Sequence, residues 1–315
     1  MSIRLKLLSA LLRGFVKPMV ARALDPAALR RRFEYYARRT FRRPPYTLVR
    51  RITLAPNQVA LAVTARPGTR APRPGKALLY FHGGGFLVGS PRTHAAMLAR
   101  LSRLARIEVI APYYRLAPEN PFPAAVIDAR AAWDGLRARG YAPADIVLGG
   151  DSAGGNLALG LLADVLADGQ RPAGLVGFSP VTDLTFSGAS FKANAKRDVM
   201  LPASRSDDLL RFYLNGAPAD DPRASPLFAE FDNPPPVFLQ FAETEILFDD
   251  CRRMAEELRA AGGDVVCDVW PDAPHVWVIF DGYVPEAREG LRRAAHFIAG
   301  LWPGDQASAI TPASR

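Results

Sequence analysis

Gly150-Asp151-Ser152-Ala153-Gly154 sets a serine between small residues at G-x-S-x-G spacing, where a strand-like run passes into an Ala- and Leu-rich helical one. Such a turn is too tight for flanking side chains. It lifts the serine oxygen above a sheet, beside the positive end of the next helix. A serine so placed suits nucleophilic attack on an acyl carbon. The transition state of acyl transfer carries negative charge on the former carbonyl oxygen, and losing one preorganised donor to it costs about 10²–10³ in rate. His82-Gly83-Gly84-Gly85-Phe86 follows a short apolar run and offers backbone N–H groups with no Cβ in the way. The N–H groups of Gly84, Gly85 and Ala153 are the expected oxyanion donors. This loop lacks the Lys-Ser/Thr of a P-loop and the spaced glycines of a dinucleotide fingerprint, which argues against a phosphate role.

The nucleophile needs a base, and the base an orienting acid. On a sheet with this kind of serine turn the chain order is nucleophile, acid, histidine. Downstream of Ser152 only His275 and His296 remain. His296 falls in an amphipathic helical run, whereas His275 falls in a loop just after a strand-like one, so His275 is the expected base. His82 directly precedes the glycines and is expected to serve as scaffold beneath them. The acid should follow the run Val237–Phe241, which leaves Glu243, Glu245, Asp249 and Asp250. Glu245 is preferred, as a loop residue within reach of His275. Asp249 is next, although it and Asp250 open a helix, where acids commonly cap.

The elements that must position these residues alternate. Strand-like runs at Ala77–Phe81, Ile107–Ala111, Asp145–Gly149, Leu175–Phe178, Val237–Phe241 and Val265–Trp270 are interleaved with helical patterns at Thr93–Ala105, Ala124–Gly140, Ala153–Leu166, Asp249–Ala261 and Pro285–Leu301. Near-continuous apolar strands between helices predict a parallel sheet covered on both faces. Arg66 to Gly75 is rich in Pro and Gly and reads as a turn between two β-like segments. Two stretches fall outside the alternation, the first fifty residues and about 184–218. Both are expected to cap the carboxyl edge of the sheet, where α/β proteins bind ligands. The division is then 1–50 cap, 51–183 core, 184–218 cap insertion, 219–301 core and 302–315 a loose tail.

The chain has 315 residues, 49% of them hydrophobic and 23% charged, which is an ordinary globular composition and excludes collagen-like and disordered classes. Net charge is +9, yet residues 1–51 carry fourteen Lys/Arg against Asp25 and Glu34, leaving −3 on the rest. A basic end on a slightly acidic body argues against nucleic acid as a partner. Ile3, Leu7, Leu8, Leu11, Leu12 and Phe15 fall at helical spacing beside Lys6, Arg13 and Lys17. The primary expectation is a helix packed on its own protein, the alternative weak contact with a lipid interface. No apolar run reaches the length of a membrane span. Two cysteines, Cys251 and Cys267, are too few for a disulfide framework and suggest free thiols in a cytoplasmic protein. The four histidines form no HExxH pair, and no metal is expected.

Together these residues resemble the hormone-sensitive-lipase-like family of α/β-hydrolases. HGGGF at 82–86, YRLAPE at 114–119, FPAA-x-x-D at 122–128 and GDSAGGN at 150–156 stand in the family's order and spacing, and the likeness runs from Leu78 to Leu301. It implies an eight-stranded, mostly parallel sheet with a small helical cap. It also implies a cofactor-free carboxylesterase acting on short- and medium-chain esters, with dimerisation through the last strand and helix. Ser152, Glu245 and His275 would be the catalytic residues, and Phe86, Asp151, Phe212 and Val276 the expected substrate contacts. Asp128 and Glu119 are expected as scaffold beneath the glycine loop, and Asp183 and Asn156 as scaffold near the nucleophile. The chain departs from the family at three places. Tyr113 stands where Asp is usual before YRLAPE. The acid motif reads Glu245-Ile246-Leu247-Phe248-Asp249-Asp250, with Glu for Asp. The usual His-Gly-Phe is His275-Val276-Trp277, which alters the pocket's shape rather than the base. The aromatic residues Phe33, Tyr35, Tyr36, Phe41, Phe212 and Tyr213 would give the cap an apolar lining. Alternatives with the same machinery are a lactone hydrolase or a deacetylase. One of another class is a non-catalytic small-molecule receptor on this fold.

Overall fold

The computed structural model describes residues 1–23, 25–65 and 72–303. Residues 66–71 of the Pro/Gly-rich turn and 304–315 of the expected tail lie outside the described residues. Strands β1 (Thr47–Ala55), β2 (Gln58–Ala65), β3 (Ala77–Phe81), β4 (Glu108–Pro112), β5 (Ile146–Asp151), β6 (Gly174–Phe178), β7 (Val237–Ala242) and β8 (Val265–Trp270) form one sheet in the order β1-β2-β4-β3-β5-β6-β7-β8. β1–β2 and β2–β4 pair antiparallel, and the remaining pairs are parallel. Every residue of β3, β5, β6 and β7 is buried, as expected of strands covered on both faces. β1 at the edge is more open, with Arg50 and Arg51 both exposed. It begins at Thr47, so residues 47–50, expected in the cap, belong to the sheet.

Helices cover both faces. On one lie α5 (Ala124–Ala138), α6 (Ala153–Ala167) and α9 (Phe248–Ala260), whose Trp133, Leu162 and Leu258 share a core with Leu79 and Leu148. On the other lie α4 (Pro91–Ala105) and α10 (Pro285–Gly300), whose Met97, Leu101 and Leu291 share a second core with Leu78 and Val147. Local chemistry starts α4 cleanly. The Ser90 hydroxyl accepts from the N–H groups of Arg92 and Thr93, Thr93 reciprocates, and Pro91 occupies the first turn.

The N-terminal segment is α1 (Ile3–Leu11), a π-turn (Leu12–Val16), α2 (Lys17–Ala21) and α3 (Pro26–Thr40). Leu5 joins the second core, and Ser2 donates to Glu286 of α10 through its N–H (2.5 Å) and hydroxyl (2.8 Å). Between β6 and β7 stand α7 (Ala189–Ala193) and α8 (Ser206–Leu209), the latter continued by a π-turn (Leu210–Leu214). Among the described residues no helix is long and apolar enough to cross a membrane. Both cysteines are free, Cys251 buried and Cys267 half-buried.

Candidate active site

The chain order of the strands reverses between β3 and β5, which is where open α/β sheets leave a crevice at their carboxyl ends. Phe81 at the end of β3 pairs in register with Gly150 of β5, so the glycine loop and Ser152 emerge side by side. On the same edge Ala242 of β7 pairs with Trp270 of β8, bringing the following loops together.

Ser152 sits between β5 and α6 with φ 53° and ψ −122°, a conformation a serine adopts only when its surroundings impose it. Packing around the turn imposes it here. A Cβ at Gly150 would run into the Gly154 carbonyl, and one at Gly154 into the Phe81 carbonyl. The Ser152 N–H donates to the Phe178 carbonyl (2.9 Å). In the glycine loop Gly84 and Gly85 have φ +126° and +59°, and the Gly84 carbonyl accepts from the N–H groups of Leu87 (3.1 Å) and Val88 (3.0 Å). Among the described residues the N–H groups of Gly84, Gly85 and Ala153 donate to no protein acceptor.

His275 Nδ1 lies 2.6 Å from Glu245 Oε2, both side chains being buried. Glu245 is fully engaged. Its Oε1 accepts from the Ser179 hydroxyl (2.8 Å) and the Ala242 N–H (2.7 Å), and its carbonyl accepts from Asn194 Nδ2 (2.8 Å). These bonds leave Oε2 for the imidazole and favour the tautomer with the proton on Nδ1. Nε2 is buried and, among the described residues, makes no hydrogen bond to Ser152 Oγ or to any other group. Burial opposes a charge on His275, but the hydrogen bond and charge of Glu245, then Asp198 and Asp151, raise its pKa above the ordinary histidine value.

The other acid candidates lie elsewhere. Asp249 accepts from the Ser190 N–H (2.8 Å) and pairs with Arg252, Asp250 accepts from the N–H groups of Thr182 and Asp183, and Glu243 is exposed. His82 is buried with its ring stacked on Tyr114 (4.3 Å) and Nδ1 2.8 Å from the Gly83 carbonyl. Burial and the neighbouring His94 push its pKa down to about 3, so it stays neutral as scaffold.

Three of the expected substrate contacts, Asp151, Phe86 and Val276, have buried side chains. Asp151 is buried with both carboxylate oxygens engaged, Oδ1 by the Tyr80 hydroxyl (2.8 Å) and Oδ2 by His94 Nε2 (3.3 Å). It supports the turn from within, because a charged group buried here needs partners that only the interior supplies. Burial raises the Asp151 pKa, but His94 and Tyr80 overcome this and hold it below the usual carboxylate range. Phe86 is buried and stacked face to face on Tyr213 at 3.7 Å. Val276, at φ 51°, turns its side chain into the second core. Phe212 alone of the four is half-buried, with the Arg211 guanidinium over its ring at 4.4 Å.

The aromatic residues expected in the cap have varied surroundings. Phe41 packs on Phe280, Tyr213 packs on Phe86, and Tyr35 and Tyr36 are exposed. Glu119 is half-exposed and paired with Arg30 of α3 (2.9 Å), and Asp128 is held by Arg115. Asn156 donates to the carbonyls of Val181 and Ala224, and Asp183 accepts from Thr185 and Ser187.

Sequence reasoning missed four contributors, namely Ser179, Asn194, Leu209 and His94. Ser179 and Asn194 hold Glu245. Leu209 Cδ1 stands 3.6 Å from where a Cβ on Gly85 would be, so the segment between β6 and β7 reaches the glycine loop. None of the four sits in a motif, and only His94, as one of four histidines, carried any signal. Among the described residues no cluster of three or more His, Cys, Asp or Glu could hold a metal ion.

Comparison with known proteins agrees with this geometry. A family model described as the alpha/beta hydrolase fold matches residues 78–279. The chain is 36% identical over 293 residues to the carboxylesterase/phospholipase LipF of Mycobacterium tuberculosis, covering 90% of this chain and 78% of that one. It is 36% identical over 225 residues to an acetyl-hydrolase of Streptomyces hygroscopicus, covering 71% and 75%. An esterase from the bacterial hormone-sensitive lipase family superposes with a TM-score of 0.88 at 35% identity, over 96% of this chain and 99% of that one. An esterase/lipase from an uncultured bacterium does so with 0.89 at 34%, over the same shares. With an eight-stranded sheet whose carboxyl edge carries the serine turn, the glycine loop and the Glu–His pair, the chain belongs to the α/β-hydrolase family, in its hormone-sensitive-lipase-like esterase branch.

Proposed function

We propose that the protein is a serine hydrolase that cleaves short- to medium-chain carboxylic esters through an acyl-enzyme intermediate. The observation that carries this reading is the buried Glu245–His275 hydrogen bond on the same sheet edge as a serine held at positive φ. Ser152 Oγ attacks the ester carbonyl carbon as its proton passes to His275 Nε2. Negative charge on the former carbonyl oxygen rests on the N–H groups of Gly84, Gly85 and Ala153. The bond to the alcohol oxygen breaks as Nε2 returns the proton to it, leaving Ser152 acylated. Water then loses a proton to Nε2, attacks the acyl carbon and releases the acid, and Ser152 regains its proton. Glu245 keeps the imidazole in the required tautomer and stabilises the imidazolium.

Residues 1–46 and 184–218 serve as the cap in this reading, over a core of 47–183 and 219–301. Arg30 supports that assignment for the first segment, since it donates to the carbonyls of Leu87 (3.0 Å) and Ala117 (3.0 Å) beside the glycine loop. A homodimer would use the open edge of β8, where Val266 and Val269 are exposed, and size measurement in solution tests it. Removal of an acetyl group is a second reading, favoured by the likeness to the acetyl-hydrolase.

The decisive experiment is hydrolysis of p-nitrophenyl esters from acetate to palmitate by the wild type and Ser152→Ala. The expected result is a maximum at short or medium chains and a loss of about 10⁴-fold or more in the variant. An inert but folded wild type would overturn the esterase reading.

A further inference from the structure

The two faces of the N-terminal helix meet different surroundings. Leu5 and Leu12 are buried, and Leu8 packs against the core shared with α4 and α10. On the outer face Ile3, Leu7, Leu11, Phe15 and Met19 recur every four residues and are 77%, 66%, 53%, 75% and 37% exposed. On a helix of 3.6 residues per turn, a four-residue row drifts by about 40° per step. The π-turn over Leu12–Val16 winds less per residue and takes back part of that drift. The row therefore keeps to one side for roughly 24 Å. Single exposed apolar side chains are ordinary, but a contiguous row of this length marks an interaction surface. Arg4, Lys6 and Arg22 are exposed along the same segment, and no acid occurs before Asp25.

We propose that this face docks the protein onto an anionic lipid surface, the apolar row entering the boundary between headgroups and acyl chains and the basic side chains meeting lipid phosphates. Charge favours lipid over a second copy, because an isologous pairing would bring two wholly basic helices together. The docked helix is also wired to the active site. Lys17 Nζ donates to the carbonyls of Ala195 (2.7 Å) and Asp198 (2.6 Å), and Arg13 to those of Lys196 (2.8 Å) and Arg197 (3.1 Å). From that same loop Asp198 Oδ2 accepts from the Ile246 N–H (3.1 Å), and Asn194 Nδ2 donates to the Glu245 carbonyl (2.8 Å). A lipid surface held by α1 therefore has a fixed position relative to the acid that orients His275. The consequence, access to esters dissolved in a lipid surface, rests on the proposed esterase reading, whereas the docking does not.

The test is co-sedimentation of the full chain carrying Ser152→Ala, so that no lipid is cleaved, with vesicles of phosphatidylglycerol and, separately, of phosphatidylcholine. Binding to phosphatidylglycerol is expected to exceed that to phosphatidylcholine and to weaken as salt shortens the Debye length from about 10 Å to about 3 Å. Leu7→Asp with Leu11→Asp, both exposed and outside the catalytic machinery, is expected to lower the partition at least about tenfold. In the Ser152 background the same pair should leave hydrolysis of soluble p-nitrophenyl butyrate within about twofold of wild type, which certifies the fold. No binding to phosphatidylglycerol, or equal binding by the variant, would overturn the proposal. So would a dimer that dissociates in the variant with vesicles making no difference, which would assign the face to a second copy. Vesicle binding without hydrolysis of any ester would sustain the docking and sink the esterase reading, so the two fail separately.

Discussion

Glu245 determines how His275 titrates. A buried histidine on its own would stay neutral, yet the carboxylate at 2.6 Å, with Asp198 and Asp151 behind it, raises its pKa. A general base works only when unprotonated. The kcat/KM of the free enzyme should therefore climb with pH through the raised value, placing its acid limb above the ordinary histidine pKa of about 6.5. The stability effect has its own sign. With a folded-state pKa above the unfolded one, the charged pair stabilises the fold fully below the ordinary value. That contribution disappears as pH rises through the raised one. Glu245→Gln removes the charge but preserves the shape. It is expected to lower kcat by about 10³–10⁴ and move the acid limb downward. A variant with near-wild-type rate and an unmoved limb would show that the acid lies elsewhere. The serine and the glycines are legible in the sequence because each answers a local demand, a tight turn or a close backbone approach, whereas His275 is reached through chain order. The role of Asp151 is not, since the same residue could face a ligand or the interior until Tyr80 and His94 are in place.

Between elements, one aromatic contact joins the glycine loop to the segment between β6 and β7. Phe86 follows Gly85 directly, and its ring lies on Tyr213 with an interplanar angle of 4°. Phe122 meets the same tyrosine edge-on, and its N–H donates to the Tyr213 carbonyl (2.7 Å). The Tyr213 hydroxyl is buried without a partner among the described residues, so its desolvation is not offset by a hydrogen bond from them. Tyr213→Phe should therefore keep kcat/KM and hold or raise the melting temperature. Tyr213→Ala removes the stack and leaves a cavity, with an expected cost of about 3–5 kcal/mol in stability. It should also lower kcat/KM about tenfold or more as the donors of Gly84 and Gly85 lose their fixed position. Thermal unfolding and ester kinetics on the two variants check both expectations. Equal rates for the two would mean that the stack does not hold the loop. Helical pattern and aromatic content mark this segment in the sequence, but which ring meets which cannot be read there. The partners Phe86 and Tyr213 lie on separate elements whose approach depends on the whole sheet edge.

At the scale of the molecule, buried ionisable groups set the dependence of stability on pH. Burial, reinforced by Asp183, pushes the Asp250 carboxyl up to about 7, against the N–H groups of Thr182 (2.8 Å) and Asp183 (3.0 Å) that favour its charge. Its contribution is complete below the ordinary carboxylate pKa of about 4 and is lost as pH rises to about 7. His82 acts oppositely, since a folded pKa of about 3 makes its contribution complete above about 6.5 and lost as pH falls. Asp250→Asn is neutral throughout. It should be more stable than wild type at pH 8 by about 2–4 kcal/mol, the difference closing toward pH 4. Thermal unfolding across that range is the measurement, and parallel curves would refute the assignment. The fold class, the alternation of strands and helices from β3 onward, the serine turn and the glycine loop are legible in the sequence alone. Each of these is encoded in contiguous residues, by apolar periodicity or by glycines that a backbone conformation requires. The preference for Glu245, thirty residues before His275, became an actual contact only through the tertiary structure. That structure alone turned Phe86 and Val276 into the core and aligned the outer row of the N-terminal helix toward solvent. The reason is physical. Such pairings depend on strand register, here Ala242 opposite Trp270, and on side-chain directions fixed by packing across the whole sheet rather than by neighbours in the chain.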